Sequence, residues 1–187
     1  MVKFFVLLMG LVFSLVVFGE QTSGFNRGYR LGISQNNLIA DGIEGTVKSG
    51  PGLIGVYEFN LTPRFTIGID LEYRTFADVQ EGRKVGQLGY GLLLKHSFPR
   101  GDANASLPGD LTPYLEYGLL MNVTRIAEFP RAGTSHDTRL AVGADFEVNN
   151  YPVFADLSYH YSKLDYFSQP RIDLSYLQFC FGWRWQK

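Results

Sequence analysis

Apolar and polar residues alternate with period two along most of this chain, and this pattern predicts β-strands. In one segment, Phe65, Ile67, Ile69, Leu71 and Tyr73 share a face, while small and charged residues occupy the positions between them. No helical period of useful length follows residue 20. Comparable alternation predicts eight strands, near residues 27–36, 51–61, 64–76, 85–98, 112–126, 138–149, 152–163 and 171–185.

Two all-β architectures share this alternation, a soluble sandwich and a membrane barrel. The apolar faces are rich in Tyr, Trp and Phe near strand ends, as at Trp183 and Trp185, which is typical of the aromatic girdles of membrane barrels. The other faces carry charges of both signs, which suits the closed lumen of a small barrel. The sequence therefore predicts an all-β fold, an eight-stranded antiparallel up-and-down transmembrane β-barrel whose first and last strands pair.

Charged residues on the polar faces indicate what fills this barrel. A lipid-facing Arg or Lys near the bilayer midplane costs about 2–4 kcal/mol, so we expect charges to point inward and pair with one another. An eight-stranded barrel is just wide enough inside for side chains, which argues against a general solute channel. The predicted lining comprises Arg64, Asp70, Glu72, Arg74, Glu116, Arg139, Asp145, Glu147 and Arg184.

The connections fall into two groups, which predict the orientation of the barrel. Three of them carry a Pro at or just before the start of a strand, where the missing N–H is tolerated, and we expect these at the periplasmic end. They are residues 60–63, 110–113 and 149–152. The other four would face outward, near residues 37–50, 77–84, 127–137 and 164–170.

The first residues have the composition of a targeting segment. A short basic start at Lys3 precedes an almost wholly apolar run, residues 4–18, which is shorter than the roughly 20 residues that a spanning helix needs. We interpret residues 1–19 as a secretory signal peptide and residues 20–187 as one outer-membrane β-barrel domain. The expected location is the bacterial outer membrane.

Charge and cysteine content exclude several classes of function. The formal net charge is −1, so nothing indicates a nucleic-acid partner. Cys180 is the only cysteine, which rules out a disulfide within one chain. No spacing typical of a metal site or a phosphate-binding loop is present, so we expect neither a metal nor a cofactor. The sequence leaves the oligomeric state open.

One pair of neighbouring strands carries the parts of a nucleophilic ester-hydrolysing site. His160 and Ser162 lie two residues apart, about 6.6 Å along a strand, and therefore share a face. Asp173 follows in the next segment, where an antiparallel register could bring it opposite His160 and Ser175 near Ser158. Asp would orient the ring, His would accept the Ser proton, and Ser would attack an ester carbonyl.

The polarity of the same strand supports a different interpretation. Asp156, Ser158 and His160 share its polar face, opposite Leu157 and Tyr159. On that pattern His160 is a lumen-facing residue within a charge network. Both interpretations remain open at the level of the residues alone.

The end of the chain resembles a family of outer-membrane enzymes, the PagL-type lipid A 3-O-deacylases. Those proteins carry a His-x-Ser-Asn stretch followed about a dozen residues later by Glu, and here residues 160–163 read His-Tyr-Ser-Lys with Asp173 following. Looser similarity covers residues 29–32, 112–118 and 139–146. Lys163 stands where the family has Asn, and Asp173 stands one position closer than the family's Glu.

This resemblance implies an eight-stranded barrel that removes a 3-linked hydroxyacyl chain from lipid A. Ser162 would be the nucleophile, His160 the base and Asp173 the orienting acid, at a site that faces lipid near the outer-leaflet surface. A β-bulge between Ser158 and His160 would be needed to turn the ring outward. The partners implied are lipid A or lipopolysaccharide and membrane lipids. The alternative is a non-enzymatic barrel of the OmpA or OmpX kind, with a structural or surface-binding role.

Overall fold

The computed structural model describes residues 26–39, 47–78, 84–98, 111–126, 133–165, 172–173 and 175–186. The signal-peptide prediction for residues 1–19 lies outside these ranges and stays a prediction. Within them, no helix is long and apolar enough to cross a membrane. The strands are β1 (Arg27–Leu38), β2 (Val47–Lys48), β3 (Gly50–Asn60), β4 (Phe65–Asp78), β5 (Lys84–Ser97), β6 (Thr112–Ile126), β7 (Gly133–Val148), β8 (Tyr151–Asp165), β9 (Ile172–Asp173) and β10 (Tyr176–Gln186).

Eight long antiparallel strands close into a barrel, as the alternation predicts. The closure joins β1 to β10, from Gly28 opposite Gln186 to Leu38 opposite Tyr176, while β10 also pairs with β8. Following register partners once around the wall from Gly28 returns to β1 at Leu38, a stagger of ten residues (38 − 28). The two-residue strands β2 and β9 extend this wall against β4 and β8.

Side chains alternate between the two surfaces of the wall along most of each strand. The outer surface is built from large apolar side chains that are about half exposed, among them Leu71, Leu119 and Leu140. Tyr29, Trp183 and Trp185 lie toward one end of it. Because a closed barrel pairs its strand backbones around the ring, such a wall can face hydrocarbon without unsatisfied backbone groups.

Two tight connections lie at the same end of the barrel. Asn149 and Asn150 join β7 to β8 with φ angles of 52° and 66°, the left-handed conformation that a two-residue hairpin turn requires. Between β3 and β4, the Thr62 hydroxyl oxygen accepts hydrogen bonds from the backbone N–H groups of Arg64 and Phe65. Bacterial outer-membrane barrels place their short turns in the periplasm, which orients this barrel as the sequence predicts.

The predicted lining is confirmed for seven positions and wrong for two. Asp70, Glu72, Arg74, Glu116, Arg139 and Asp145 are buried inside the barrel, and Arg184 is partly buried there. Arg64 is exposed because it belongs to the turn that precedes β4. Glu147 is exposed because it lies next to the end of β7, beyond the level at which the opposite wall covers the lumen.

Candidate functional site

The interior of the barrel contains an acid–histidine–serine relay close to the outer ends of β7 and β8. His160 Nδ1 lies 3.0 Å from Asp137 Oδ2, and His160 Nε2 lies 3.1 Å from Ser158 Oγ. The ring stacks on Tyr176, with the ring centroids 4.4 Å apart, and the Tyr176 hydroxyl donates to the same Asp137 oxygen at 3.1 Å. All four residues are almost completely buried.

The hydrogen-bond partners of the ring decide what it can do chemically. Gln178 Oε1 lies 3.3 Å from His160 Nε2, and an amide oxygen only accepts hydrogen bonds. The orientation of the Gln178 amide is set by its nitrogen, which donates to Asn36 Oδ1 at 3.0 Å. The Ser158 hydroxyl donates to the same Gln178 oxygen at 3.2 Å, and Asp137 Oδ2 faces the other ring nitrogen. In this geometry the Ser158 proton is therefore directed at the Gln178 amide oxygen.

The predicted register between the last two long strands is wrong. His160 is the partner of Tyr176 and Ser158 is the partner of Gln178, whereas Asp173 in β9 pairs with Lys163. The pairing is continuous from Ser158 to His160, so the proposed bulge is absent there. Alternation assigns residues to a face but leaves the offset between strands open.

Two of the three candidate catalytic residues, His160 and Ser162, share one region of the lumen, where each bonds other partners. His160 and Ser162 both point into the lumen and are 0% exposed. The Ser162 hydroxyl donates to Ser135 Oγ at 3.3 Å, and the hydroxyl that contacts the ring belongs to Ser158. The side chain of Asp173 lies outside the described part of the chain. Catalysis by His160, Ser162 and Asp173 therefore stays a prediction.

Asp137 is the residue of this site that the sequence analysis missed. The alternation was begun at residue 138, which left Asp137 in an outer connection, but β7 begins at Gly133. Gly133, Ser135, Asp137 and Arg139 are small or polar at every second position, and all four side-chain positions are buried. That extension of the pattern is the signal that would have placed Asp137 in the lumen.

Charged side chains around the relay form the outer tier of the lumen, which is the part nearer to the outer ends of the strands. Arg74 approaches Asp137 Oδ2 at 3.4 Å, donates to Gln87 Oε1 at 2.8 Å and forms a close pair with Glu72. The guanidinium carbon of Arg74 also lies 5.0 Å from the centre of the Tyr176 ring. Each donor of the relay thus meets a carboxylate or an amide, and each carboxylate meets a cation, as buried charges require.

Below this tier lies an inner tier of ion pairs. Arg30 forms an ion pair with Glu58 at 2.8 Å and pairs closely with Glu116, while Lys95 donates to Asp145 at 2.7 Å. Arg184 reaches both Glu58, at 3.1 Å, and Asp145, at 2.8 Å. These side chains occupy the lumen from its middle to the periplasmic rim.

Arg139 joins the two tiers. Its guanidinium contacts four carboxylates at 3.2–3.3 Å, which are Asp70, Glu72, Glu116 and Asp156. An apolar cluster that includes Ile54, Leu93 and Phe154 fills the space beside this junction. Within the described residues, the lumen is therefore packed with side chains, and no group of His, Cys, Asp and Glu is arranged to hold a metal ion.

Comparison with solved structures identifies the fold. The outer membrane protein OprG from Pseudomonas aeruginosa superposes with a TM-score of 0.59 at 13% identity, covering 87% of this chain and 95% of that one. Neisserial surface protein A gives a TM-score of 0.56 at 14% identity, with 87% and 96% covered. Ail, the attachment invasion locus protein of Yersinia pestis, gives 0.50 at 14% identity, with 86% and 98% covered.

No protein-family model and no curated protein matches the sequence. At 13–14% identity the structural neighbours show the fold and leave the activity open. Together with the closed wall and its apolar outer surface, they establish the architecture. This chain is an eight-stranded β-barrel of the kind found in bacterial outer membranes.

Proposed function

We propose that this protein is a non-enzymatic outer-membrane barrel, whose sealed wall carries binding surfaces at the cell surface and in the outer leaflet. The observation that carries this proposal is the position of His160 and Ser162. Both side chains lie inside the wall, whereas the ester bonds of a membrane lipid would meet its outer surface. The contact of Ser158 adds a chemical reason, since its hydroxyl donates to Gln178 Oε1 at 3.2 Å.

The packed lumen also argues against transport. A solute would have to displace Arg139, Arg74 and Arg30 from their carboxylates. Removing one partner of a buried ion pair costs about 3–5 kcal/mol, and a through-path would break several such pairs together. A barrel filled in this way stabilises its own shape and leaves its outer wall and its outer connections for interaction.

Hydrolysis of lipid A is the competing proposal. The resemblance to the PagL-type deacylases implies it for His160, Ser162 and Asp173, and the relay of Asp137, His160 and Ser158 has the order of groups that such chemistry uses. For this relay to act, the outer ends of β8 and β10 would have to part and admit an acyl chain into the lumen. This opening would break backbone hydrogen bonds between the two strands. Because that is costly, a structural role of the relay is favoured.

Mass spectrometry of lipid A separates the two proposals. The barrel is expressed in a Gram-negative host as wild type, Ser162→Ala and Ser158→Ala, and folding is checked by the heat-dependent gel mobility of barrels. We expect identical lipid A masses in all three strains and in the empty host. Loss of one hydroxyacyl chain in the wild type would overturn the proposal, and the variant that restores the full mass would identify the nucleophile.

A conductance measurement tests the sealed lumen. The purified barrel in a planar lipid bilayer should show no stable ion current, because its interior offers no continuous water path. If the wild type shows single-channel current steps and Arg139→Gln shows steps of a different size, the current passes through the lumen. That result would refute the non-transporting role.

A further inference from the structure

The outer wall carries a groove of about 480 Å³, which lies on the paired strands β1 and β3 and is flanked by β10 and β4. Four register neighbours form one row across it, Phe181, Ile33, Leu53 and Tyr73 in order. The two aromatic rings flank the groove, and Ile33 and Leu53 lie between them. A volume of this size is within the range of small-ligand sites in proteins.

A second row crosses the groove two residues nearer to the outer end of each strand. Phe179 is the partner of Gln35, and Gln35 is the partner of Pro51. Beside Pro51, the Thr75 hydroxyl donates to the Pro51 carbonyl oxygen at 2.9 Å. The Gln35 side chain is exposed on the outer surface and lines the groove, so it presents an amide donor and an amide acceptor there.

The groove lies in the half of the wall that is remote from the periplasmic turns. Ile33 and Gln35 belong to the second half of β1, and Leu53 is near the start of β3, remote from the short turn at residues 61–64. That turn marks the periplasmic end, so the polar row lies toward the cell surface and the apolar row toward the bilayer centre. This polarity matches an acyl chain whose ester end points outward.

We propose that this groove is a binding site for one acyl chain of an outer-leaflet lipopolysaccharide. The chain lies over Ile33 and Leu53 between the aromatic side chains, and its oxygen-bearing end meets Gln35. A 3-hydroxyacyl chain offers both a hydroxyl donor and an ester acceptor, which an amide can satisfy together, whereas a phospholipid ester only accepts. The site depends on the membrane placement of the wall and is independent of whether the barrel is an enzyme.

Lipid retention by the purified protein tests the site. The barrel is extracted from an expressing host into detergent, mixed with equal amounts of hexa-acylated lipid A and phosphatidylethanolamine, and examined by native mass spectrometry. Leu53→Trp fills the groove, and Leu119→Trp is the matched control, since these two leucines are 56% and 53% exposed on the outer wall and Leu119 lies on β6.

The wild type and Leu119→Trp should each retain one lipid A, and Leu53→Trp should retain at least tenfold less. Gln35→Leu should lose the preference for lipid A over phosphatidylethanolamine while it still binds a chain. If Leu53→Trp does not fold, Phe181→Ala removes one flank of the groove and should also lower retention tenfold.

Three results would overturn this inference. They are equal retention by wild type and Leu53→Trp, equal retention of the two lipids by the wild type, or loss of retention in Leu119→Trp as well. The mass of the retained lipid A reports separately on hydrolysis. A bound lipid that has lost an acyl chain would refute the non-enzymatic role and leave the groove in place.

Discussion

Replacement of Arg139 by Met should be among the most damaging single changes in this barrel. The substitution keeps much of the side-chain volume and removes the charge. Four carboxylates lie at 3.2–3.3 Å from the Arg139 guanidinium, from Asp70, Glu72, Glu116 and Asp156, and the side chain is fully buried. The variant would leave these carboxylates facing one another across the centre of the lumen.

The magnitude follows from these distances. At an effective dielectric constant near 20, one pair of unit charges 3.2 Å apart interacts with about 5 kcal/mol. The four attractions are offset by repulsion among the carboxylates and by the desolvation of Arg139, which is several kcal/mol per buried ion. Measured losses for broken buried pairs are about 3–5 kcal/mol, and we expect Arg139→Met in that range.

Equilibrium unfolding in urea, in phospholipid vesicles of fixed composition, measures this loss through the fluorescence of Trp183 and Trp185. Arg184→Met is the control, because Arg184 is partly exposed at the rim and its partner Glu58 also bonds Arg30. It should cost clearly less. Asp70→Asn added to Arg139→Met should recover part of the stability, as coupled neighbours do. Buried ion pairs set the expected range for Arg139→Met. If this variant lowers the free energy of unfolding by less than about 1 kcal/mol, Arg139 is not the junction of the network.

Two further pairs of substitutions test the wall itself. A Cβ on Gly91 would lie 2.0 Å from the Leu119 carbonyl oxygen, whereas one on Gly55 would meet only the Leu71 carbonyl oxygen at 3.9 Å. Gly91→Ala should therefore destabilise the barrel by about 1–3 kcal/mol in the same unfolding assay, and Gly55→Ala should have little effect. Equal effects of the two substitutions would show that the close contact between strands at Gly91 does not determine stability. Leu71→Arg should cost about 2–4 kcal/mol in vesicles and Leu71→Phe much less, and a tolerated Arg would place this position away from the bilayer centre.

The barrel could be predicted from sequence because lipid and lumen impose opposite polarity on alternate residues. The alternation at Phe65–Tyr73 predicted the correct face for each residue of that segment, and the charges between them are buried as expected. The predicted strand ends were less accurate, since Arg64 and Glu147 keep the inward period but extend into water. Periodicity reports which face a residue occupies and says nothing of where the opposite wall stops covering it.

The candidate site was predicted only in part for a related reason. The polarity of β8 placed His160 in the lumen, which the structure confirms, but the partners of the ring come from the two flanking strands, β7 and β10, and depend on their register. Asp137 reaches His160 because β7 and β8 are offset so that Arg139 is the register partner of His160. An offset of one residue flips every side chain to the other face, so the relay is a property of the whole wall.

The pairing of β1 with β10 has a consequence for how this protein is made. The two strands that close the wall come from opposite ends of the chain, so one edge of the sheet has no partner until the last strand has been synthesised. Unpaired edges are costly in hydrocarbon and prone to aggregation in water. Insertion and closure must therefore occur together. A chain that lacks Tyr176–Gln186 should be degraded by proteases instead of entering the membrane in a shortened form.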